Sequence, residues 1–339
     1  MTKVVYFGVD SFSVRCLRRI LGCGGMESLD IVTKSAKPAG RYRKALQETP
    51  IAEFALDKQL PLHRADTGDD IVGLLAKTPF DLCIAVSYGK LIPGKFLDQL
   101  RYGGINVHPS LLPRYSGPAP LHRALLNGDN VTGCTIQTLH PTEFDRGHLI
   151  AQQKYTLAPS ETVPSLSDKL ADLGGDMLKN LLESGIYKDP SQWLGKSGYE
   201  FSHAPKVEPF EKEILWTELS SDEILRKFHI LGALYSYKRI YDKKKKEFGF
   251  RRVVLTGLAK PAVELNAFTD SDSPGTFKYV ESKLHVKTLD SSLEVLHLTF
   301  QGEPNEMPGK FMTSLAKRTR DADHNVFEHD PTERSKNKI

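Results

Sequence analysis

Leu82-Cys83-Ile84-Ala85-Val86 is apolar at every position and is bounded by Asp81 and Ser87. A strand with one wet face would alternate apolar and polar residues. A short run apolar on both faces is a strand covered by helices on either side, as in the parallel sheets of α/β proteins. Neighbouring segments fit the same scheme: Lys3 to Gly8, Leu29 to Thr33 and Gly104 to His108 are further β-branched runs, and amphipathic stretches such as Val14 to Leu21 separate them. The pattern predicts an α/β domain built on a doubly wound, mostly parallel sheet. Ligands of such sheets bind outside the carboxyl ends of the strands, where the chain order switches. Two loops meet that condition, Ser87-Tyr88-Gly89 and Pro109 to Gly117.

A length of 339 residues exceeds what one core usually serves, and the pattern changes along the chain. Leu166, Leu170, Leu173, Met177 and Leu181 recur at spacings of three and four. They predict a helix from Val163 to Leu182 that closes a first domain, residues 1–185. Ser184 to Pro209 is rich in Gly, Ser, Pro and aromatic residues without periodicity, which reads as a linker over residues 186–206 lying on the surface. Ser220 and Glu223 make a capping-box pair ahead of Ile224, Phe228, Leu231 and Tyr235, so a helix opens the second domain, residues 207–320. Arg251 to Leu258, Lys283 to Leu289 and Leu296 to Phe300 alternate between turn clusters, as a small antiparallel β-barrel would. Residues 321–339 read as a polar, frayed tail.

Hydrophobic residues at 40% and charged residues at 26% are ordinary globular usage and exclude a disordered or collagen-like chain. No run approaches the about 20 apolar residues that cross a bilayer, so no membrane partner is expected, and Lys3 to Gly8 reads as a strand rather than a signal segment. Cys16, Cys23, Cys83 and Cys134 show neither C-x-x-C pairing nor a His at ligand spacing. Buried reduced thiols in a reducing compartment are expected, and no metal site.

The segment Gly104-Ile105-Asn106-Val107-His108-Pro109-Ser110-Leu111-Leu112-Pro113-Arg114-Tyr115-Ser116-Gly117-Pro118-Ala119-Pro120 is the most informative in the chain. Side chains two apart on a strand share a face, so the Asn106 amide and the His108 imidazole converge on one volume. The prolines beyond them predict a rigid, extended loop. Alone, an Asn-x-His pair is more often a satisfied hydrogen-bonding corner than a reacting one. After a further strand, Val131 to Leu139, comes His140-Pro141-Thr142-Glu143-Phe144-Asp145-Arg146-Gly147, and Asp145 adds an acid to the amide and the imidazole.

Asn106-x-His108-x-Ser110-Leu111-Leu112-Pro113-Arg114, with Asp145-x-Gly147 downstream, resembles the signature of the folate-dependent formyltransferases. Gly117-Pro118-Ala119-Pro120 and Thr132-Gly133-Cys134-Thr135-Ile136 extend the likeness over the first domain, and Pro38-Ala39-Gly40-Arg41 is similar to the methionyl-tRNA branch in particular. Ala204-Pro205-Lys206 and Ile214 to Trp216 carry it more loosely into the second domain. The resemblance implies the formyltransferase fold followed by an oligonucleotide-fold-like barrel, with 10-formyltetrahydrofolate as co-substrate, no metal, and initiator methionyl-tRNA as acceptor. It implies Asn106, His108 and Asp145 as the catalytic group. It places the carrier against Val86, Ser87, Tyr88 and Gly89 and along Ser110, Leu111, Leu112 and Pro113; plain hydrophobic contact would equally account for Leu111 and Leu112. Ser116 departs from the family pattern, where an arginine usually follows the aromatic residue, and Pro118 stands where bacterial members often carry alanine. The Phe144-Asp145-x-Gly147 context looks most like mitochondrial members, which implies a mitochondrial location; a monomer is expected.

Lys34 to Lys44 holds five basic residues and no acid, and Lys238 to Arg252 holds eight basic residues against Asp242 and Glu247. Lysine runs are usually solvated loops, but two such patches on two domains favour contact with nucleic-acid phosphates. The candidate tRNA contacts are Arg41 and Arg43, through the resemblance, and Lys243, Lys244, Lys245 and Lys246. Two other readings stand beside this one: a formyltransferase acting on a small amine, such as glycinamide ribonucleotide or a nucleotide sugar, and a catalytically inactive RNA-binding module.

Overall fold

β1 (Thr2–Phe7) lies in the middle of a seven-stranded sheet, between parallel β2 (Met26–Thr33) and parallel β6 (Leu82–Ala85). The computed structural model describes residues 1–39, 45–76, 78–242, 246–262, 267–319 and 325–330. It divides into two units, Met1–Lys206 and Val207–Ile339.

In the first unit, β5 (Leu62–Arg64) extends the sheet beyond β2, and β7 (Gly104–His108) pairs with β6 in parallel. β8 (Val131–Thr138) and β9 (Leu149–Thr156) then run antiparallel. Six of the seven strands therefore run in one direction, and the reversal of β8 alone has a consequence for the site. It sets Gln137 opposite Asn106 and lets the β8–β9 loop fold back over the face carrying Asn106 and His108. As expected of strands covered on both sides, Val4 to Phe7 and Leu82 to Ile84 are fully buried. A short hairpin, β3 (Lys37–Ala39) with β4 (Ala45–Gln47), follows β2.

The covering layers include α1 (Ser11–Ile20), α2 (Pro50–Asp57), α3 (Gly68–Gly73), α4 (Gly94–Leu97), α5 (Pro120–Leu126) and α6 (Val163–Ser184). α1 starts at Asp10, whose carboxylate accepts from Ser13 N–H and caps the helix. It is tied to α6 by a forked pair from Arg15 Nε and Nη2 to Asp172 at 2.9 and 2.7 Å. α6 has a Thr162–Ser165 capping box, and Gly185, at φ 74°, ends it where a side chain would be strained. All four cysteines are buried and free.

Residues 186–206 belong to the first unit and are less detached than a surface linker. Leu194 and Gly195 donate to Ile150 and Leu149 at the start of β9. Ser202 to Ala204 runs beside the 113–119 loop through Ser116 N–H to Ser202 O at 2.9 Å, Ala204 N–H to Ser116 O at 2.7 Å and Ala119 N–H to Ala204 O at 3.1 Å. A segment without a ladder of its own satisfies its backbone groups on another loop.

The second unit opens with α7 (Ser221–Leu231), capped as its sequence predicts by Ser220 and Glu223. Gly232, at φ 72°, ends the helix, so Tyr235 falls on β10 (Leu234–Asp242) and not on the helix. β11 (Glu247–Ala259), β12 (Phe277–Val280), β13 (Lys283–Lys287) and β14 (Ser292–Phe300) complete an antiparallel sheet in the order β10-β11-β14-β13-β12. α8 (Pro308–Thr319) seals it with the buried Phe311 and Leu315.

The tail expectation fails for residues 325–328. Phe277 N–H donates to Asn325 O and Phe327 N–H to Gly275 O, while Tyr237 and Glu328 exchange two backbone hydrogen bonds. This strap thus joins β12 to β10, the two edges of the curled sheet. Its anchor is Phe327, which is buried, stacked on Trp216 and 4.5 Å from Phe277 between ring centroids. One aromatic residue in a polar stretch outweighs the average polarity, because burying a phenyl ring contributes about 1.5–3 kcal/mol. Residues 320–324 and 331–339 lie outside the described residues.

Candidate active site

Asn106 and His108 project from one face of β7, as their spacing requires. The Asn106 side chain is half-buried and makes no hydrogen bond among the described residues. His108 is buried between two acceptors: Nε2 lies 3.0 Å from the Tyr115 carbonyl oxygen and Nδ1 lies 3.2 Å from Asp145 Oδ1. A carbonyl oxygen can only accept, so Nε2 donates in this arrangement. The second contact is a donated hydrogen bond when Nδ1 also carries a proton. The ring is thus held at both nitrogens, with the carboxylate beside Nδ1.

Asp145 sits in the β8–β9 loop in a left-handed conformation, φ 56°. Its carboxylate is only 10% exposed and is gripped from several sides. Gly117 N–H donates to Oδ2 at 2.8 Å, and Gln137 Nε2 donates to Oδ1 at 3.2 Å. Gln137 also accepts from Gly147 N–H at 3.2 Å through its own carbonyl, so one buried glutamine on β8 holds both ends of the Asp145-x-Gly147 turn. A Cβ at position 147 would stand 1.7 Å from the Thr138 carbonyl oxygen, which explains a glycine there. Gly117 is constrained twice, by φ 131° and by the Ala204 carbonyl oxygen 2.7 Å from where its Cβ would be.

The loop after His108 is a compact series of turns and not the extended segment its prolines suggest. Ser110 is fully buried, with Oγ donating to Arg114 O and its carbonyl accepting from Thr135 Oγ1. Leu112 N–H donates to Thr135 Oγ1, and Leu112 O accepts from Gln152 Nε2. Tyr115, at φ 58°, aims its carbonyl at His108 while its N–H donates to Ser202 Oγ. The Tyr115 phenol donates to Asp129, which Arg114 also holds; burial, reinforced by that carboxylate, pushes the phenol up and keeps it a donor. Ser116 is buried, its Oγ donating to Pro113 O.

Among the residues expected to receive the carrier, Val86 is buried at the end of β6, and Ser87 and Gly89 are exposed with positive φ. The Tyr88 side chain points inward, with its hydroxyl donating to Ala65 O and its ring against Phe7. Leu111 and Leu112 are buried, and Pro113 is half-buried.

The tRNA candidates are less fully described. Arg41, Arg43, Lys243, Lys244 and Lys245 lie outside the described residues, and Lys246 is exposed at the turn before β11. The rest of the second patch is largely committed elsewhere. Lys238 is buried, Arg251 is paired with Glu303, and Arg252 lies 4.0 Å from the Tyr235 ring centroid while donating to the Tyr237 hydroxyl. Gln137, Tyr115 and Ser202 are positioning residues that the sequence pattern did not single out. A glutamine inside the buried run Gly133 to Gln137 was the available signal for the first of them.

Asn106 and His108 on one face of β7, with Asp145 against His108, set an amide, an imidazole and an acid on a mixed α/β sheet. The formyl transferase family model matches residues 4–182, and the chain belongs to that family. It is 34% identical over 364 residues to the mitochondrial methionyl-tRNA formyltransferase of Saccharomyces cerevisiae, covering 93% of this chain and 90% of that protein. It is likewise 34% identical over 228 residues to the methionyl-tRNA formyltransferase of Fusobacterium nucleatum, covering 65% of this chain and 70% of that one. Among solved structures, an N-formyltransferase of Helicobacter canadensis, in complex with folinic acid and dTDP-3-aminofucose, superposes with a TM-score of 0.58 at 12% identity, over 87% of this chain and 99% of that one. HypX of Aquifex aeolicus in complex with tetrahydrofolic acid superposes with a TM-score of 0.54 at 14% identity, over 97% of this chain. The chain spans about half of that protein's length, 48%. At these identities the superpositions establish the fold.

Proposed function

We propose that this chain transfers the formyl group of 10-formyltetrahydrofolate to the amine of initiator methionyl-tRNA, producing formylmethionyl-tRNA for translation initiation in the mitochondrion. The observation that carries the reading is the closed contact of His108 with Asp145 beside a free Asn106 amide, in a chain similar along nearly its full length to a mitochondrial methionyl-tRNA formyltransferase. Attack of an amine on a formyl group builds negative charge on the oxygen and positive charge on the nitrogen. The Asn106 amide donates to that oxygen, a contribution of about 3 kcal/mol where a single such donor has been removed from an enzyme. The His108–Asp145 pair takes the proton that the amine loses and returns it to the departing nitrogen of the carrier. Gln137 and Gly117 hold the Asp145 carboxylate in place, and the Tyr115 carbonyl holds the imidazole.

The deciding experiment offers labelled 10-formyltetrahydrofolate together with charged initiator tRNA, uncharged tRNA or glycinamide ribonucleotide. Label on charged tRNA alone supports the reading, and label on the nucleotide alone overturns it. The fraction of a tagged chain that copurifies with mitochondria tests the location, and sedimentation tests the expected monomer.

Changing Lys243, Lys244, Lys245 and Lys246 together to glutamine is expected to weaken tRNA binding and flatten its salt dependence, by about one unit of log–log slope for each phosphate no longer neutralised. Folate affinity stays unchanged. Binding measured across a salt series checks this, and an unaltered slope assigns the run to solvent.

A further inference from the structure

Beside Asp145 stands a side chain that the reaction above does not use. Arg146 is exposed, with its guanidinium carbon 4.6 Å from the centroid of the Phe201 ring, and Phe201 is itself 52% exposed. Arg15, Arg64 and Arg114 of this unit are paired with Asp172, Glu48 and Asp129, whereas Arg18 and Arg101, like Arg146, lie over an aromatic ring, Phe54 and Tyr102, remote in sequence from Asp145. Arg146 has no carboxylate partner among the described residues. A half-exposed aromatic ring with an unneutralised guanidinium on its face is a flat cationic platform.

Two chain neighbours fix this platform to the reacting residues. Asp145, next to Arg146, contacts His108, and Ser202, next to Phe201, accepts from the N–H of Tyr115, whose carbonyl holds the other side of the His108 ring. Aromatic and guanidinium planes stack on nucleobases, and guanidinium also neutralises phosphate. In an aminoacyl-tRNA only an ester and one carbon separate the amine from the terminal ribose. An amine delivered to His108 and Asp145 therefore brings its terminal nucleotide to their rim. Resting on the proposed tRNA acceptor, we infer that Arg146 and Phe201 hold the terminal nucleotide of the acceptor, with its base on the platform and its phosphate near Arg146.

The test compares Phe201→Ala, Phe201→Tyr and Arg146→Ala in the full chain, using methionyl-tRNA and methionyl-adenosine as acceptors. Phe201→Ala is expected to raise KM about tenfold for both acceptors, equivalent to about 1.4 kcal/mol, with kcat and the KM for 10-formyltetrahydrofolate unchanged. Phe201→Tyr keeps the wild-type KM. Arg146→Ala raises KM for methionyl-tRNA and lowers its salt slope by about one unit. Unchanged KM for both acceptors in every variant overturns the inference. So does a rise confined to the folate KM, which would give the platform to the carboxylate tail of the carrier. If the wild-type chain formylates methionyl-tRNA while the variants match it, only the platform fails; if the wild-type chain transfers nothing to methionyl-tRNA, the function itself fails and takes the platform with it.

Discussion

His108→Ala is expected to lower the rate of formyl transfer by about 10²- to 10⁴-fold, the usual range for a lost general acid–base group, and Asn106→Ala by about 10²- to 10³-fold. The two losses have different origins. Asn106 has no hydrogen-bond partner to lose among the described residues, so its truncation removes a donor to the substrate and disturbs little else. His108 lies between the Tyr115 carbonyl and Asp145, so its removal also takes away the ring that the carboxylate rests against. Asp145→Asn keeps the size of the side chain and the acceptor for Gly117 N–H but removes the charge beside Nδ1. Single-turnover rates with charged tRNA, alongside folate binding and thermal melts, separate chemistry from folding. Near-normal rates in Asn106→Ala, His108→Ala and Asp145→Asn, with intact melts, would remove these residues from the mechanism.

Gly147→Ala is expected to be the most damaging change that touches no reacting group. The added methyl would stand 1.7 Å from a backbone oxygen of β8, which cannot swing aside as a side chain can. The turn must therefore shift, and Gln137 loses its grip on Asp145 and residue 147 together. A misplacement of about 1 Å at a reacting group can cost about 10²-fold, and overpacking of this kind costs about 1–3 kcal/mol of stability. The expected signature is a fall in kcat of at least about 10²-fold with folate affinity retained, measured by steady-state kinetics beside a denaturant titration. Wild-type kcat in this variant would show that the turn tolerates the shift and that Asp145 does not depend on it.

Much of this arrangement is legible from the residues, and the limits have physical causes. The apolar run 82–86 could be read as a covered strand because both faces obey one rule, and Asn106 and His108 could be paired because a strand alternates with period two. Gln137 could not be placed the same way. Its partnership with Asn106 exists only in the antiparallel register of β7 on β8, and nothing local distinguishes an antiparallel from a parallel neighbour. Ser202 was hidden for a similar reason, since a stretch of glycine, serine and proline reveals a lack of periodicity but not the loop on which its backbone pairs. The charge count over 238–252 is incomplete in the opposite direction. Glu303, far along the chain, neutralises Arg251 and Arg318, and composition within a window cannot see a partner outside it.

The strap at 325–328 gives the second unit an order of assembly. Its two edge strands are joined only by residues that follow every other described element of the unit. A ribosome therefore delivers β10 through β14 and α8 before the piece that pairs with both rims. Until then β10 and β12 present unpaired backbone groups, the kind of edge that recruits strands from other chains. A stop codon placed before residue 325 would leave the formyl-transfer domain complete in sequence yet attached to a sheet with two open edges. Such a product is more liable to self-association and proteolytic removal than to simple loss of catalysis.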